Sequence, residues 1–426
     1  MNKLFRTILG PTEVNRDLLL LLLIGGLYSL GIFLSNTFVN VYLWKQTSGE
    51  YTAIALYNLS IYILQPVTFI FAGRWAKRVD RVIVLRSGVV FLSLFFMAVL
   101  IVGERAAQFN IMLGALLGIG YGFYWLAFNV LTFEITEPET RDFFNGFLGL
   151  LQSFGGMTGP ILAGFIIAKM EAFTGYTVIF TVSFLLFICA VIASFFLKRR
   201  KAKGNFSFKR IIQERKTNIH WRRILYAHVF QGLREGTFLF VITIWVYITT
   251  QSELSLGMFN LVYSGSAFVL YFLASKWIKP RMRKWAIFIG GTSLYLSLTI
   301  LLMELNFTTL LIYAAIIGVS YPILYVPYIS LTYDVIGKAW KAAEMRIEYI
   351  VVRELFLNTG RIISIVIFLT GITLFGAETA IPYILLLVGS GHFWIYFFIK
   401  DINLKKQHGT DELLGAEPTV TGSKNR

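Results

Sequence analysis

Five ionisable residues sit inside long apolar runs: Arg234 and Glu235 in one run, and Arg353, Glu354 and Arg361 in another. A charge near the centre of a bilayer costs roughly 2.5–3.5 kcal/mol even on lenient insertion scales, so such residues must face a polar interior or one another. A carboxylate without a firm partner in an apolar setting is a proton-exchange group. An arginine there offers a permanent charge and a fork of N–H donors that matches a carboxylate or a phosphate. His228, Gln231 and Glu235 are spaced i, i+3, i+7 and share one helical face, flanked by Arg234. Glu354, Asn358 and Arg361 are spaced i, i+4, i+7 and share another. Charges so placed read two ways: a structural cluster that neutralises itself, or a site where a glutamate exchanges a proton while an arginine holds an anionic group. His228 reads as a packed or cavity histidine rather than a metal ligand.

The first half of the chain is polar without charge. Asn36 and Asn40 are one helical turn apart, as are Asn58 and Tyr62, with Gln65 on the same face. Tyr124, Trp125 and Asn129 mark a fourth apolar run, and Asn145 and Gln152 a fifth. Tyr321, Tyr325 and Tyr328 form a stripe in the second half. Aromatics at helical spacing serve packing unless their helices line a pocket.

The elements that must position these residues are membrane helices. The chain has 426 residues, 56% of them hydrophobic and 15% charged, with mean hydropathy +0.68. A soluble domain is about 45–50% apolar and about 25% charged, so a disordered, nucleic-acid-binding or ordinary cytosolic class is excluded. The net charge of +16 sits in short connections between apolar runs. Cys189 stands alone, which leaves no disulfide or zinc framework. Gly118, Gly120 and Gly122 have no strand before them and read as helix packing, not a dinucleotide loop. Asn306-Phe307-Thr308 matches a glycosylation acceptor by chance. Nothing calls for a cofactor or metal, and no residues would carry an enzymatic reaction.

Twelve apolar runs approach the length of about 20 residues that spans the hydrocarbon core. They lie near 18–43, 54–72, 82–102, 109–133, 143–168, 176–197, 224–249, 255–275, 285–303, 309–333, 347–373 and 380–399. A bilayer offers the backbone no other partner, so these are helices. Basic residues crowd the even-numbered connections, which places those connections and both termini in the cytoplasm of a multi-pass plasma-membrane protein. The chain divides into a six-helix bundle over 1–197, a basic linker over 198–223, a second six-helix bundle over 224–400 and a disordered tail over 401–426.

The halves resemble each other at a shift of about 200 residues. Tyr57-Asn58-Leu59 recurs as Phe259-Asn260-Leu261, and Leu131-Thr132-Phe133-Glu134 as Leu331-Thr332-Tyr333-Asp334. Parallel repeats of this kind put a binding site between the halves near the midplane. The segment Gly73-Arg74-Trp75-Ala76-Lys77-Arg78-Val79-Asp80-Arg81 looks like the loop signature of the major facilitator superfamily, with Lys77 where that family usually has an acid and Asp80 at hand as a negative charge. Gly146, Gly155, Gly159, Pro160 and Gly164 resemble the family's antiporter motif in the fifth span. The fourth span, Gly118 to Thr132, lacks the arginine of many of the family's proton antiporters.

The resemblance implies an all-α membrane protein with the major facilitator fold, twelve transmembrane helices in two repeated six-helix bundles. Gly73 to Arg81, with Glu134 and Asp334, would form the gate. Spans seven and eleven would lie near one another in the second half, where the simplest network pairs Arg234 with Glu354 and Glu235 with Arg361. Spans four and ten would line the cavity, giving it an amide and aromatic wall opposite a charged one, which suits an amphiphilic small molecule with an anionic or zwitterionic head. The expected function is alternating-access transport, with proton-coupled export of a small amphiphilic or organic-ion substrate. The lipid bilayer surrounds it, nucleic acid is not a partner, and a monomer is expected. A rival reading is a flippase for a lipid or lipid-linked glycan, marked by a lateral opening between spans five and eight or two and eleven. From another class comes a non-transporting sensor or scaffold, marked by a solid interior.

Overall fold

The structure, a computed structural model, describes residues 15–135, 138–171, 173–199 and 205–404. Twelve helices in it are long and apolar enough to cross a membrane. They are α1 (Arg16–Gln46), α2 (Tyr51–Arg78), α3 (Arg81–Val102), α4 (Asn110–Ile135), α5 (Pro138–Lys169), α6 (Thr174–Phe195), α7 (Ile219–Thr250), α8 (Glu253–Trp277), α9 (Arg283–Leu296, continued as Leu298–Met303), α10 (Phe307–Gly337), α11 (Arg346–Phe375) and α12 (Ala377–Gly389, continued as Gly391–Ile399). Each expected span is present. Several run a turn or more past their apolar stretch. In α2, for example, the helix continues through Lys77 and Arg78, whose charges sit in its last turn.

Side-chain caps fix several starts. Asn15 opens α1, Asp80 opens α3, Asn218 opens α7 and Ser252 opens α8, each accepting a backbone N–H from the first turn. Asn306 does the same for α10 inside a reciprocal capping box with Thr309. The apparent glycosylation acceptor is therefore a helix start, with Asn306 Oδ1 held 2.9 Å from the Thr309 amide.

The internal repeat is visible in the packing. In the first half, a Cβ on Gly118 of α4 would lie 2.5 Å from the Ile61 carbonyl of α2, and one on Gly88 of α3 would strike the Tyr124 backbone of α4. In the second half, a Cβ on Gly318 of α10 would lie 2.5 Å from the Tyr263 carbonyl of α8, and one on Gly290 of α9 would strike the Leu324 backbone of α10. Lipid gives helices no hydrophobic drive to associate, so close backbone approach over small residues has to supply the packing. An ion pair repeats as well: Arg81–Glu134 and Arg283–Asp334 each close at 2.6 Å. These pairs tie the α2–α3 and α8–α9 connections to the far ends of α4 and α10.

The two halves meet along α5–α8 and α2–α11. On α5, Gly164 lies against the Glu253 carbonyl of α8, and Gly257 of α8 lies against the Pro160 carbonyl of α5. At the end bearing the basic connections, Lys77 of α2 pairs with Glu348 of α11 at 2.5 Å and reaches the carbonyls of Asn205 and Glu344. At the opposite end, Lys45 of α1 pairs with Glu253 of α8, which also accepts the Tyr176 hydroxyl of α6 at 2.8 Å. The linker carries a short helix, Phe208–Glu214. Its buried Glu214 accepts the Tyr349 hydroxyl and the Trp340 amide, which docks this segment on α11.

Candidate functional site

A cavity of about 660 Å³ lies between the halves. Asn36, Asn40, Asn58, Tyr62, Gln65, Trp125 and Asn129 line it on one side. Gln231, Arg234, Glu235, Tyr321, Tyr325, Arg353, Glu354 and Arg361 line it on the other. The wall is therefore amide and aromatic opposite charged. Asn58 donates to Asn40 at 3.0 Å and to the Ile54 carbonyl at 2.9 Å, which holds two of the amides in place.

Of the two expected ion pairs, Glu235–Arg361 forms and Arg234–Glu354 does not. Arg361 donates through Nη2 at 2.6 Å and Nε at 3.2 Å to one oxygen of Glu235, whose other oxygen accepts from Gln231 at 2.8 Å. The Arg361 guanidinium also lies 5.1 Å from the centre of the Tyr62 ring on α2, so this group touches both halves. Glu354 is taken by its own neighbour: Arg353 Nη2 donates to it at 2.6 Å. Adjacent residues on a helix both reach the cavity edge here, and long side chains can fold together there. Arg234 instead rests over the Phe238 ring at 4.5 Å and donates to the Tyr313 hydroxyl at 3.3 Å. The cavity wall thus carries three arginines against two glutamates.

Three residues expected to line the site stand behind its wall. His228 is buried, with Nδ1 2.8 Å from the Ile224 carbonyl and 2.7 Å from the Tyr328 hydroxyl, between α7 and α10. Asn358 is fully buried and braces the cluster by donating to the Glu354 carbonyl and accepting from Arg361 at 3.3 Å. Tyr124 stacks on Tyr28, with ring centres 4.0 Å apart. His228 and Tyr124 are turned toward a neighbouring helix rather than the cavity, and Asn358 bonds within α11. His392 and Tyr313, which line the cavity, escaped the sequence reading: Tyr313 precedes the Tyr321 stripe on the same helix, and His392 sits in an aromatic-rich run.

The gate-like segment differs from the expectation in one respect. Asp80 does not replace the acid missing at Lys77, because its side chain caps α3 at 2.7 Å from the Val82 amide. The acid that faces Lys77 is Glu348, across the seam on α11. Gly73 packs under Phe206 and Val351, while Arg74 and Arg78 are exposed. In the fifth-span motif, Gly155 and Gly159 face Ser29, Phe33 and Leu34 of α1, whereas Pro160 and Gly164 face α8. Gly146 and Asn145 lie outside the residues whose side chains are described.

This geometry has relatives. Over 414 residues the chain is 56% identical to the uncharacterized protein YqgE of Bacillus subtilis (strain 168), covering 97% of this chain and 96% of that one. It is 60% identical over 200 residues to an uncharacterized protein in the sodM 3' region of Geobacillus stearothermophilus, covering 47% of this chain and 93% of that one. In fold it resembles a bacterial homologue of the iron transporter ferroportin. The inward-facing crystal structure superposes with TM-score 0.69 and the outward-facing one with 0.65, each at 15% identity over 91% of this chain and 99% of that chain. A family model described as Major Facilitator Superfamily matches residues 21–347. The chain is a multi-pass membrane transporter and belongs to the Major Facilitator Superfamily.

Proposed function

We propose that this transporter moves a small amphiphilic organic ion through the central cavity by alternating access, with export driven by protons across the plasma membrane. The observation that carries this reading is the asymmetric cavity. A wall of amides and aromatics faces a wall of three arginines and two glutamates, between two repeated bundles. Glu235 is the candidate proton group. It is held by one arginine and one glutamine from α11 and α7, and Arg361 also rests on α2 of the other half. Rocking of the halves would change that contact and expose the carboxylate to one side at a time. Both termini would lie in the cytoplasm, since Lys and Arg crowd the connections on that side.

Iron, the cargo for which the structural neighbours are named, fits this cavity poorly. Hard divalent cations take clusters of carboxylate and imidazole. Among the described residues no group of three or more His, Cys, Asp or Glu is placed to hold a metal ion. The arginine excess would repel one. A flippase reading would be supported by a lateral opening; at the seams named for it, glycine contacts pack α5 on α8, and Lys77–Glu348 and the Tyr51–Phe368 ring contact tie α2 to α11. A sensor or scaffold reading would suit a solid interior, whereas a cavity is present.

The test is flux in proteoliposomes against a panel of organic anions, zwitterions and cations, with and without an imposed pH gradient. Gradient-dependent movement of an organic ion, abolished in Glu235→Gln, supports the proposal. Normal gradient-dependent flux in Glu235→Gln would sink the role given to this carboxylate.

A further inference from the structure

One corner of the cavity holds polar groups whose hydrogen bonds are unmade. His392 of α12 is fully buried, lines the cavity, and has no partner on either ring nitrogen. Arg234 of α7 is 7% exposed, lines the same cavity, and has no partner on Nε. Its contacts are neutral: the Tyr313 hydroxyl and the face of Phe238. Neither glutamate of the cavity reaches it, since Glu235 is engaged by Arg361 and Gln231, and Glu354 by Arg353.

The corner is built by close backbone approach. A Cβ on Gly391 would strike the Phe230 carbonyl and lie 3.2 Å from the Arg234 amide, so α12 is pressed against α7 at this level. A Cβ on Gly291 of α9 would lie 2.6 Å from the His392 carbonyl. The two glycines let α7, α9 and α12 converge, which fixes His392 beside Arg234. The Tyr321 ring lies 5.9 Å from the imidazole, and Tyr263 and Tyr313 complete the wall.

Buried donors without partners are costly and rare in folded proteins, and a bound group is a common reason for them. An unpaired arginine with a neighbouring imidazole is the donor set for anionic oxygens. Three tyrosine rings around them fit a flat apolar body.

We propose that Arg234 and His392 form the headgroup subsite of this transporter, and that its ligand is an aromatic or amphiphilic acid whose carboxylate or phosphate docks there. The Glu235–Arg361 pair is then a separate element, free to respond to protons while the headgroup stays bound. This rests on the cavity being the transport site, and it adds the sign and chemistry of the cargo.

The test uses the full chain in lipid nanodiscs and follows binding by calorimetry. The probes are 2-naphthoate, 2-naphthyl phosphate, inorganic phosphate and, as the opposite charge, 2-naphthylmethylamine. Tighter binding of either naphthyl anion than of the amine is expected, with the two anions telling a carboxylate from a phosphate preference. Arg234→Gln should weaken anion binding at least tenfold, and His392→Phe severalfold. Arg234→Lys, which keeps the charge without the fork, should fall between Arg234→Gln and the wild type. Equal binding of amine and anions, no anion binding at all, or wild-type anion binding by a folded Arg234→Gln protein would overturn the subsite. Flux of a cation with no anion binding would leave the transport reading standing and remove the subsite. Anion binding lost in Arg234→Gln, with no flux of any ion, would do the reverse.

Discussion

Removing the charge of Glu348 should release the end of the molecule that carries the basic connections. Its side chain is fully buried and that of Lys77 is 7% exposed, so neither charge is rescued by solvent. Taking one partner from a buried pair costs about 3–5 kcal/mol, because the other charge stays behind uncompensated. Lys77 would keep the carbonyls of Asn205 at 3.3 Å and Glu344 at 3.1 Å, which places Glu348→Gln at the lower end, about 3 kcal/mol. That is a shift of roughly a hundredfold, enough to turn a closed-to-open ratio of about 99:1 into a roughly even mixture. Electron–electron distance measurements would read it, with spin labels at the exposed positions Arg78 and Ala343 in a Cys189→Ser background. Glu348→Gln should add a longer distance, and the charge swap Lys77→Glu with Glu348→Lys should restore the short one. An unchanged distribution in Glu348→Gln, or a swap no better than either single change, would refute the latch.

Three further outcomes are expected. Gly118→Val forces a side chain into the Ile61 carbonyl and should lower the midpoint of thermal unfolding by several degrees, with Gly318→Val matching it in the other half. Glu214→Ala leaves the Trp340 amide without its acceptor and the Tyr349 hydroxyl with the Trp340 carbonyl alone, which costs about 1–3 kcal/mol; faster proteolysis of the linker would report it. Lys45→Gln should loosen the opposite end, where Lys45 joins Glu253 and Tyr176, and lengthen a label pair at Glu50 and Gln251.

The topology was legible because each span announces itself by length and hydropathy, and the repeat by recurrences at one fixed shift. The charged faces of α7 and α11 were legible from spacing, and Glu235–Arg361 from the family resemblance that sets those two spans side by side. Arg234 was assigned the wrong partner because spacing gives the face of a helix but not the reach of a long side chain, and Arg353 stood closer to Glu354. His228 and Tyr124 show the same limit: a polar residue on a helix can serve the cavity or the helix behind it, and only packing decides; Asn358 braces its own helix instead. Glu348 and Glu253 drew no notice because a lone acid at a helix start reads as an ordinary end, whereas each faces a lysine of the other half. Glu214 was visible as the single acid of a basic linker, but its docking on α11 depends on residues more than a hundred positions away.

Alternating access requires that one wet cavity be reached from each side of the membrane in turn. Asn36→Cys, on the cavity wall, in a Cys189→Ser background places a single thiol there for a membrane-impermeant reagent applied to either face of oriented vesicles. Labelling from both faces is expected, with a bound organic acid slowing both. Labelling from one face alone in every condition, or from neither, would contradict it.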